Sequence, residues 1–398
     1  MTPTSRLVLI ATCLAALPAC GGGSGGPSVP PAAPSSSSPY DGVIQQNYAG
    51  NWGVELGVYK NGSPLHVAGY GLRDRGLPEV FSPGFAWGVP SLDKMYGLTR
   101  GQFPPDANTY FELGSISKEF TAGAILLLQQ DGKLSVDDPL AKYFPSFPNA
   151  AAITLRMMLQ HSSGLIDYNN FGGYPDFSGA YAAFMANGQD DYTPIVNTLA
   201  TFPLDFVPGT QYEYSNSNYL MLGLVVANVA GEPLGAFLQQ RIFTPLGMTQ
   251  TQQGLPPPPV SDIALGYNSV NGTIGRAPQW NLSWLAGAGG LTSTVGDVEK
   301  WDRAVRAPGV FTAASLAQMF APGPYPQAFG TYAFGWIVST LSGHRYIWHD
   351  GALGGFQTMN ATFPDDGIEI IVLTNDGTGT LPYDVIPPLF NAALTGAR

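Results

Sequence analysis

Strand-like segments at both ends of the chain, separated by a long helical region, place the strongest constraint on its fold. NWGVELGVYK and PLHVAGYG alternate in strand fashion around Asn61-Gly62, a pair typical of a two-residue hairpin turn. Strand patterns return in the last third, in YAFGWIVST, HRYIWHD, FQTMNATF and IEIIVLTN. Strands from both ends can share one sheet if the middle folds as its own helical lobe. We therefore predict an α/β lobe that contains both chain ends, plus an all-α lobe.

Helical periods dominate the middle of the chain. They occur in FTAGAILLLQQ, ITLRMMLQH, YLMLGLVVANVAG, LGAFLQQRIF and VGDVEKWDRAV, and VIPPLFNAAL near the end predicts a short terminal helix. A chain of 398 residues is also longer than one hydrophobic core usually serves, which favours two lobes. We expect a globular domain over residues 41–396, with the all-α lobe inserted at approximately residues 133–300.

The composition excludes several classes of function. The net charge is −11, only 11% of residues are charged, and no basic cluster occurs, which argues against a nucleic-acid partner. The four histidines, His66, His161, His344 and His349, lack the spacing of metal ligands, and neither cysteine lies in the globular part. We therefore expect no metal and no cofactor.

The first twenty residues have the pattern of an export signal. Arg6 precedes the apolar run LVLIATCLAALPA, which is too short to span a bilayer permanently, and Cys20 follows it. Leu17-Pro18-Ala19-Cys20 resembles a bacterial lipobox, so we expect a signal peptide at 1–19 and lipidation of Cys20. The alternative is an ordinary signal peptide in which Cys20 has no role. The first interpretation makes the protein a periplasmic or cell-surface lipoprotein, held at the membrane by its acyl chains.

Two further segments have unusual compositions. Residues 20–40 contain the lipid-anchor cysteine and a tether rich in Gly, Pro and Ser. The tether matches a nucleophile elbow at Gly22-x-Ser24-x-Gly26, but it lacks the strand and helix that this motif needs. Residues 75–107 form an irregular excursion that could be a lid over a cleft or an ordinary loop. Its aromatic residues include Phe81, Phe85, Trp87 and Tyr96.

Ser115-Ile116-Ser117-Lys118 stands at the head of an apolar, helix-like run. On a helix the Lys118 amine can reach the Ser115 hydroxyl, because residues three apart share a face. A serine becomes an effective nucleophile when an adjacent base takes its proton. Ser91-Leu92-Asp93-Lys94 has the same spacing, but no helical pattern follows it. We therefore predict Ser115 as the nucleophile and Lys118 as its base.

Tyr214-Ser215-Asn216 is a candidate for the proton-transfer step. A tyrosine beside a lysine ammonium has its phenolate favoured, so it could act as a base near neutral pH. Asn216 can bond both to Lys118 and to a substrate carbonyl. Tyr168-Asn169-Asn170 has the same spacing, and we interpret it as a loop.

His349-Asp350-Gly351 follows a predicted strand and is a candidate for the substrate edge of the site. Gly351 lets a substrate approach the backbone closely, and the Ala352 N–H could pair with the Ser115 N–H as an oxyanion hole. His349 beside the phenol would add a donor whose charge varies near neutral pH. The alternative is a histidine that only caps the strand end.

S-x-x-K, Y-S-N and H-x-G in this order resemble the class C β-lactamases, the serine D-alanyl-D-alanine carboxypeptidases and the related esterases. The resemblance extends to ANTYFELGSISKEFTA, ITLRMMLQHSSGL, FVPGTQYEYSNSNYLMLG, FTPLGMTQT and GAGGLTSTVGDVEKW, and it covers residues 41–396. It implies an α/β fold of the β-lactamase/transpeptidase type, in which the α/β lobe carries an antiparallel sheet.

The resemblance also implies a role for each motif residue. Ser115 would be acylated, Lys118 would assist its deprotonation, and Tyr214 would be general base or proton shuttle. Which of Lys118 and Tyr214 takes the first proton stays open. Asn216 would orient the substrate and Lys118. The residues expected to form the third motif and the oxyanion hole are His349, Gly351, Ala352 and Ser115, and those expected to pack the lobes are His161, Ser162 and Ser163.

Two departures from the family pattern bear on the substrate. A histidine at 349 is more typical of the peptidase and esterase branches than of true β-lactamases. Asp350 replaces a hydroxyl residue that generally binds a substrate carboxylate, and a carboxylate facing the site would repel one. We therefore expect an exported serine hydrolase that prefers neutral esters or amides, acting as a monomer on a small-molecule or peptide substrate.

Two alternatives remain, a β-lactamase and a catalytically silent penicillin-binding-like receptor. A silent relative should have lost part of the acylation set. Ser115, Lys118, Tyr214 and Asn216 are all present, which favours an enzyme.

Overall fold

The computed structural model describes residues 38–48, 50, 52–80, 103–169, 177–256, 262–378 and 381–396. Its largest element is a seven-stranded antiparallel sheet in the order β2-β1-β12-β11-β10-β9-β8. These strands are β1 (Val54–Lys60), β2 (Ser63–Tyr70), β8 (Thr331–Tyr332), β9 (Ile337–Leu341), β10 (His344–Leu353), β11 (Phe356–Phe363) and β12 (Ile368–Thr374). The predicted α/β class with a sheet from both chain ends is confirmed.

Strands from the two ends of the chain lie side by side in this sheet. β1 pairs antiparallel with β12, with Val54 opposite Thr374 and Lys60 opposite Ile368. Both strands are almost fully buried, because one face packs on helices from the chain ends and the other on the helical lobe. The predicted turn at Asn61-Gly62 joins β1 to β2, and both residues have positive φ.

Helices cover both faces of the sheet. On one face lie α1 (Pro39–Asn47) and α12 (Pro382–Leu394). The remaining α-helices are α2 (Ser117–Gln130), α3 (Leu155–Leu159), α4 (Ser178–Ala186), α5 (Thr193–Leu199), α6 (Asn216–Ala230), α7 (Leu234–Leu238), α8 (Thr244–Leu246), α9 (Leu282–Gly289), α10 (Val295–Arg306) and α11 (Ala313–Met319). A π-helical turn, Gln239–Phe243, joins α7 to α8.

Helix α2 lies at the junction of the two lobes. Residues 117–128 of this 14-residue helix are all buried, as expected for an apolar run with polar residues only at its ends. It packs against α6, α9 and α11, and a 3-10 turn, Gly114–Ile116, leads into it beside β10. The helix is therefore enclosed from its first residue to Leu128, and Ser115, in the turn before it, is half-buried.

Several elements depart from the sequence-based expectations. The N-terminal helix begins at Pro39, inside the expected tether of residues 20–40, and Tyr40 is fully buried. Ser38 and Asp41 form a capping box at its start, a signal that lies within the Ser/Pro-rich stretch. Short strands β3 (Phe111–Glu112), β4 (Gln252–Gln253) and β7 (Leu291–Ser293) form a second sheet, and β5 (Tyr267–Val270) pairs with β6 (Thr273–Arg276).

Some predictions fall outside the described residues. They are the signal peptide at 1–19, Cys20, the Gly22-x-Ser24-x-Gly26 match, Ser91-Lys94 and the aromatic residues Phe81, Phe85, Trp87 and Tyr96. In the part of the chain that the structure describes, no single helix is long and apolar enough to cross a membrane. One bent pair, Asn216–Ala230 with Leu234–Leu246, reaches that threshold by length and composition only.

Candidate active site

Ser115 occupies the 3-10 turn that precedes α2, at the N-terminal end of the buried helix. Gly114 has a φ of +54°, a conformation that suits glycine, and a side chain there would lie 3.1 Å from the Ala352 nitrogen. The backbone before the serine can therefore approach β10 closely. The turn places Ser115 against the unpaired edge of that strand.

Lys118 is completely buried and uses all three of its ammonium hydrogens. Its Nζ donates to Ser115 Oγ at 2.9 Å, to Asn216 Oδ1 at 2.8 Å and to the Ala288 carbonyl oxygen at 2.6 Å. The Ala288 carbonyl is available because it lies in the last turn of α9, where carbonyls have no partner within the helix. The structure thus brings together the Ser–Lys pair that the sequence predicted.

Tyr214 completes the cluster from the loop that precedes α6. Its hydroxyl donates to Ser115 Oγ at 2.8 Å, and Lys118 Nζ lies 4.8 Å from the centroid of its ring. The serine oxygen therefore lies between two proton-carrying groups that come from different lobes. Asn216, the first residue of α6, contacts Lys118 as predicted.

The electrostatics of the pair favour Lys118 as the base. Burial lowers the pKa of Lys118 to about 7, although the nearby carboxylates Asp167 and Asp350 oppose this shift. Burial raises the pKa of Tyr214 well above 10, which outweighs its hydrogen bond to Ser115. The expectation that the ammonium makes Tyr214 a phenolate near neutral pH is therefore wrong, since desolvation of the phenol is the larger effect.

His349 lies near the cluster in a different state from the one expected. Its Nε2 lies 2.9 Å from the Tyr332 hydroxyl and its Nδ1 lies 2.6 Å from the Asp350 carbonyl oxygen, which is therefore the acceptor of an Nδ1 proton. Burial and the Lys118 charge lower its pKa to about 3. The prediction of a charge that varies near neutral pH is wrong, because a fully enclosed imidazole beside a cation stays neutral.

The oxyanion-hole candidates meet at the open edge of β10. β9 pairs with β10 only as far as Trp348, so residues beyond it have one unpaired edge. Leu353 and Phe356 lie opposite each other on the two sides of a two-residue turn, where facing residues form a hydrogen-bonded pair. Because hydrogen-bonded and non-hydrogen-bonded pairs alternate along an antiparallel ladder, the Ala352 N–H points away from β11, toward the unpaired edge of β10. At Gly351 any side chain would collide with the Leu113 carbonyl oxygen. Glycine is therefore required where the strand passes the nucleophile turn.

Asp350 lies on the opposite face of β10 from His349. Asp350 is paired with Met359, which packs in the core beneath α1 and α12, whereas His349 is paired with Asn360, which faces α2. The side chain is 24% exposed. The carboxylate therefore lies on the face of the strand away from His349, and its negative charge acts on Lys118 from there. Burial raises the pKa of Asp350 above its ordinary value.

Three functional groups were not identified from the sequence. Asp167 Oδ2 accepts from Asn216 Nδ2 at 2.9 Å, the Ala288 carbonyl accepts from Lys118, and the Tyr332 hydroxyl contacts His349. Each depends on contacts between segments far apart in the chain. Only Asp167 had a local signal, as a carboxylate two residues after the HSSGL stretch.

The residues expected to pack the lobes lie beneath Tyr214 and Asn216. His161 is fully buried, its Nδ1 accepts from the Ser215 N–H at 3.1 Å, and its ring lies 4.4 Å from that of Tyr214. Ser163 Oγ contacts Asn218 Oδ1 at 2.5 Å, and Ser162 is buried beside them. Within the described residues, no group of three or more His, Cys, Asp or Glu side chains is arranged to hold a metal ion.

The fold and this cluster define the class of the protein, the serine hydrolases of β-lactamase type. Residues 41–388 match the family described as Beta-lactamase, and the chain belongs to that family. A penicillin-binding protein of Bacillus subtilis is 30% identical over 288 residues, which are 68% of this chain and 62% of that protein. A D-aminopeptidase of Cereibacter sphaeroides is 28% identical over 73% of this chain and 53% of its own length. The chain thus aligns with less than two thirds of either relative.

Solved structures support the fold assignment. The D-amino acid amidase of Ochrobactrum anthropi SV3, complexed with L-phenylalanine amide, has a TM-score of 0.72 at 22% identity, covering 90% of this chain and 98% of that one. A penicillin-binding protein homologue from Pyrococcus abyssi has a TM-score of 0.66 at 23% identity, covering 87% and 74% of the two chains. The predicted β-lactamase/transpeptidase-like architecture is confirmed.

Proposed function

We propose that the protein hydrolyses ester or amide bonds, including those of D-peptide-like substrates, through an acyl-enzyme formed on Ser115. The observation that carries this proposal is the position of Ser115 Oγ, 2.9 Å from Lys118 Nζ and 2.8 Å from the Tyr214 hydroxyl. A serine needs an adjacent base to become a nucleophile, and a buried amine with a pKa of about 7 supplies one.

In the proposed acylation step, Ser115 Oγ attacks the substrate carbonyl carbon while its proton passes to the neutral Lys118 amine. The N–H groups of Ser115 and Ala352 would hold the oxyanion that forms. Tyr214 then gives its phenolic proton to the leaving oxygen or nitrogen and regains one from the Lys118 ammonium. In deacylation a water molecule takes the place of the leaving group at the acyl carbon. Lys118 and Tyr214 again carry the protons and return the site to its starting state.

The charge of the cleft supports substrates without a carboxylate near the scissile bond. Asp350 and Asp167 both act on Lys118 as negative charges, and the net charge of the chain is −11. A substrate carboxylate would be repelled by Asp350, whereas a neutral ester, an amide or an amine-bearing substrate would not. The relative named a D-aminopeptidase supports including D-amino acid amides in this group.

We extend the proposal to the location of the protein. The export signal at 1–19, the lipidation of Cys20 and the tether after it would place a monomeric domain at the periplasmic or outer face of a bacterial membrane. Radiolabelled palmitate incorporation into the full chain, compared with Cys20→Ala, tests this part. Incorporation that is equal in both chains would exclude the anchor.

Initial rates on three substrates test the proposed activity. The full chain would be assayed with p-nitrophenyl butyrate, D-alanine p-nitroanilide and a chromogenic cephalosporin, with Ser115→Ala as control. We expect Ser115-dependent cleavage of the first two and little turnover of the cephalosporin. Dominant cephalosporin hydrolysis would make the protein a β-lactamase, and no turnover of any substrate would favour a silent receptor.

The variant Asp350→Thr tests whether the charge of Asp350 influences substrate choice. Removal of the carboxylate should raise the cephalosporin acylation rate at least several-fold, because the repulsion of the substrate carboxylate is lost. An unchanged rate would show that Asp350 does not influence substrate choice.

A further inference from the structure

One carboxylate beside the catalytic cluster takes no part in the proposed proton transfers. Asp167 lies in the loop after α3, and its Oδ2 accepts from Asn216 Nδ2 at 2.9 Å. The oxygen of the same amide accepts from Lys118 Nζ at 2.8 Å, and Lys118 donates to Ser115 Oγ at 2.9 Å. Asp167, Asn216, Lys118 and Ser115 therefore form one continuous series of hydrogen bonds, which we call the Asp167 chain.

The Asp167 chain has a fixed direction. An ionised carboxylate only accepts hydrogen bonds, so the amide nitrogen of Asn216 must face Asp167 and the amide oxygen must face Lys118. In the reverse orientation the amide N–H groups would point at the Lys118 ammonium, which is also a donor. Asp167 thus selects the one orientation of Asn216 that can bind the catalytic amine.

The position of Asp167 is itself fixed by its neighbours. Its Oδ1 accepts from the Asn169 N–H at 3.0 Å, which closes a local turn. Tyr168 anchors the same turn, because its N–H donates to Ser217 Oγ at 3.0 Å and its hydroxyl donates to the Trp284 carbonyl at 2.9 Å. The carboxylate is thereby held in place by contacts to α6 and α9, independently of Asn216.

Lys118 is faced by titratable groups from several elements. They are Asp167 and Asp350, the neutral phenols Tyr214 and Tyr219, and the neutral imidazoles His161 and His349. Only the two carboxylates favour the ammonium form, and Asp167 is the larger influence of the two. Burial raises the pKa of Asp167, while the hydrogen bonds from Asn169 and Asn216 and the charge of Lys118 favour its ionised form. In that form its charge opposes the effect of burial on Lys118.

We propose that Asp167 is a positioning residue that, through Asn216, aligns Lys118 with Ser115 and sets the pH at which the amine releases its proton. It does this without contacting the substrate. This inference rests on the proposed function, since it assumes that Lys118 is the base for Ser115. It adds a fifth residue, which the sequence motifs did not include, to the machinery of the site.

The experiment measures how fast Ser115 is labelled by a fluorophosphonate at a series of pH values. In this reaction Ser115 Oγ forms a bond to phosphorus, fluoride leaves, and the serine proton passes to Lys118. The full chain and Asp167→Asn would be compared by intact mass. Because the probe reports serine activation directly, the result does not depend on knowing the natural substrate.

We expect Asp167→Asn to shift the acid limb of the labelling rate to lower pH, because the ammonium loses an attractive charge. The plateau rate should also fall on the order of 10-fold, since the Asn216 amide is no longer held in one orientation. An acid limb that stays in place, or that moves to higher pH, would overturn the inference. If the unmutated chain is not labelled at Ser115 at all, the proposed function fails instead.

Asp191→Asn is a matched control on the same lobe. Asp191 also accepts from the N–H two residues on, at 2.9 Å, and from an asparagine side chain, Asn187 Nδ2, at 2.7 Å. Asp191 is partly exposed and is not among the groups that act on Lys118, so the acid limb and plateau of this variant should match those of the unmutated chain. If Asp167→Asn does not fold, Asp167→Glu serves, and it should retain the acid limb while lowering the plateau.

Discussion

Lys118 combines complete burial with two nearby carboxylates, and these two features act on its charge in opposite directions. Burial disfavours the ammonium, whereas the charges of Asp167 and Asp350 favour it. The balance leaves a pKa of about 7, well below the ordinary value of 10.5. A lysine in this state can take the serine proton and return it within one turnover.

The pKa of Lys118 predicts the pH dependence of catalysis. The base must be neutral to accept a proton, so kcat/KM for p-nitrophenyl butyrate should rise with pH through a midpoint near 7. Below that pH the amine is charged and activity is lost. The measurement is a pH–rate profile of the unmutated chain, with the rate of Ser115→Ala as the background.

A variant of His349 tests whether Lys118 or the imidazole produces the acid limb of the pH–rate profile. His349 has a pKa of about 3, so His349→Gln should lower the rate without moving the acid limb. An acid limb that disappears in this variant would assign the titration to the imidazole and contradict the account.

The residues that the sequence identified are those that belong to local motifs. Ser115 and Lys118 share one turn of helix, and Tyr214 and Asn216 are two residues apart, so the spacing alone is informative. Asp167 and the Ala288 carbonyl became visible only when three distant segments converged on Lys118. The protonation states also required the structure, because the burial that determines them has no local sequence signal.

At the scale of elements, helix α2 is joined to the sheet and to α10 by a buried polar cluster. Glu119 Oε2 accepts from Trp301 Nε1 at 2.8 Å and from Asn360 Nδ2 at 3.1 Å, and Asn360 also donates to Asp302 at 2.8 Å. Burial raises the pKa of Glu119 and of Asp302 well above their ordinary values. Burial therefore favours the protonated form of both carboxyl groups.

Removal of one ionisable group from this cluster should stabilise the protein. A carboxyl group whose pKa is higher in the folded state than in the unfolded state stabilises the protein at low pH. This stabilisation is lost as the pH rises from the unfolded pKa to the folded pKa. Glu119→Gln keeps an acceptor for Trp301 and Asn360 but cannot ionise, so its unfolding temperature should exceed that of the unmutated chain at pH 8. At pH 4.5 the difference should be smaller, because about half of the Glu119 side chains in the unfolded state are then protonated as well.

Thermal unfolding of the unmutated chain and of Glu119→Gln would be measured at pH 8 and at pH 4.5. A variant that is less stable at pH 8 would show that the Glu119 carboxylate is ionised and paired in the folded protein. Asp191→Asn, at a partly exposed position, provides the control for the loss of one acidic group.

The elements found from the sequence are those long enough to show a period. β1, β11 and β12 lie within the expected segments, and β2, β10, α2 and α6 overlap them and extend one to three residues beyond. Strands of two or three residues, such as β3 and β7, have no room for a period and were not predicted. The helix α9 was also missed, since its Gly-rich end resembles a loop and its kink at Ala286 depends on packing against α2 and α6.

At the scale of the whole molecule, an acidic chain has buried several of its carboxyl groups. Burial raises the pKa of Glu55 to about 9, of Glu112 to about 8 and of Glu369 to about 7. Glu55 and Glu112 each bind a proton in the folded state that the unfolded chain has already released at neutral pH, and Glu369, which is paired with Arg306, does so in part. The two-lobed fold therefore becomes less stable as these protons are lost.

We predict that the unfolding temperature falls between pH 7 and pH 9. Over this range Glu55, Glu112, Glu119 and Asp302 all favour the protonated folded form, whereas Lys118, with its lowered pKa, acts in the opposite direction. Four groups outweigh one, so stability should decline with pH. Calorimetry in buffers of matched ionic strength measures it, and a rise in unfolding temperature toward pH 9 would contradict the prediction.

The central claim is that Ser115 becomes acylated, and mass spectrometry of a quenched reaction tests it most directly. The full chain would be mixed with p-nitrophenyl butyrate, stopped in acid within milliseconds to seconds, digested and mapped. We expect a butyryl group on the peptide that contains Ser115. It should be absent in Ser115→Ala and retained in Ser91→Ala. A butyryl group on Ser91, or turnover by Ser115→Ala at the unmutated rate, would contradict it.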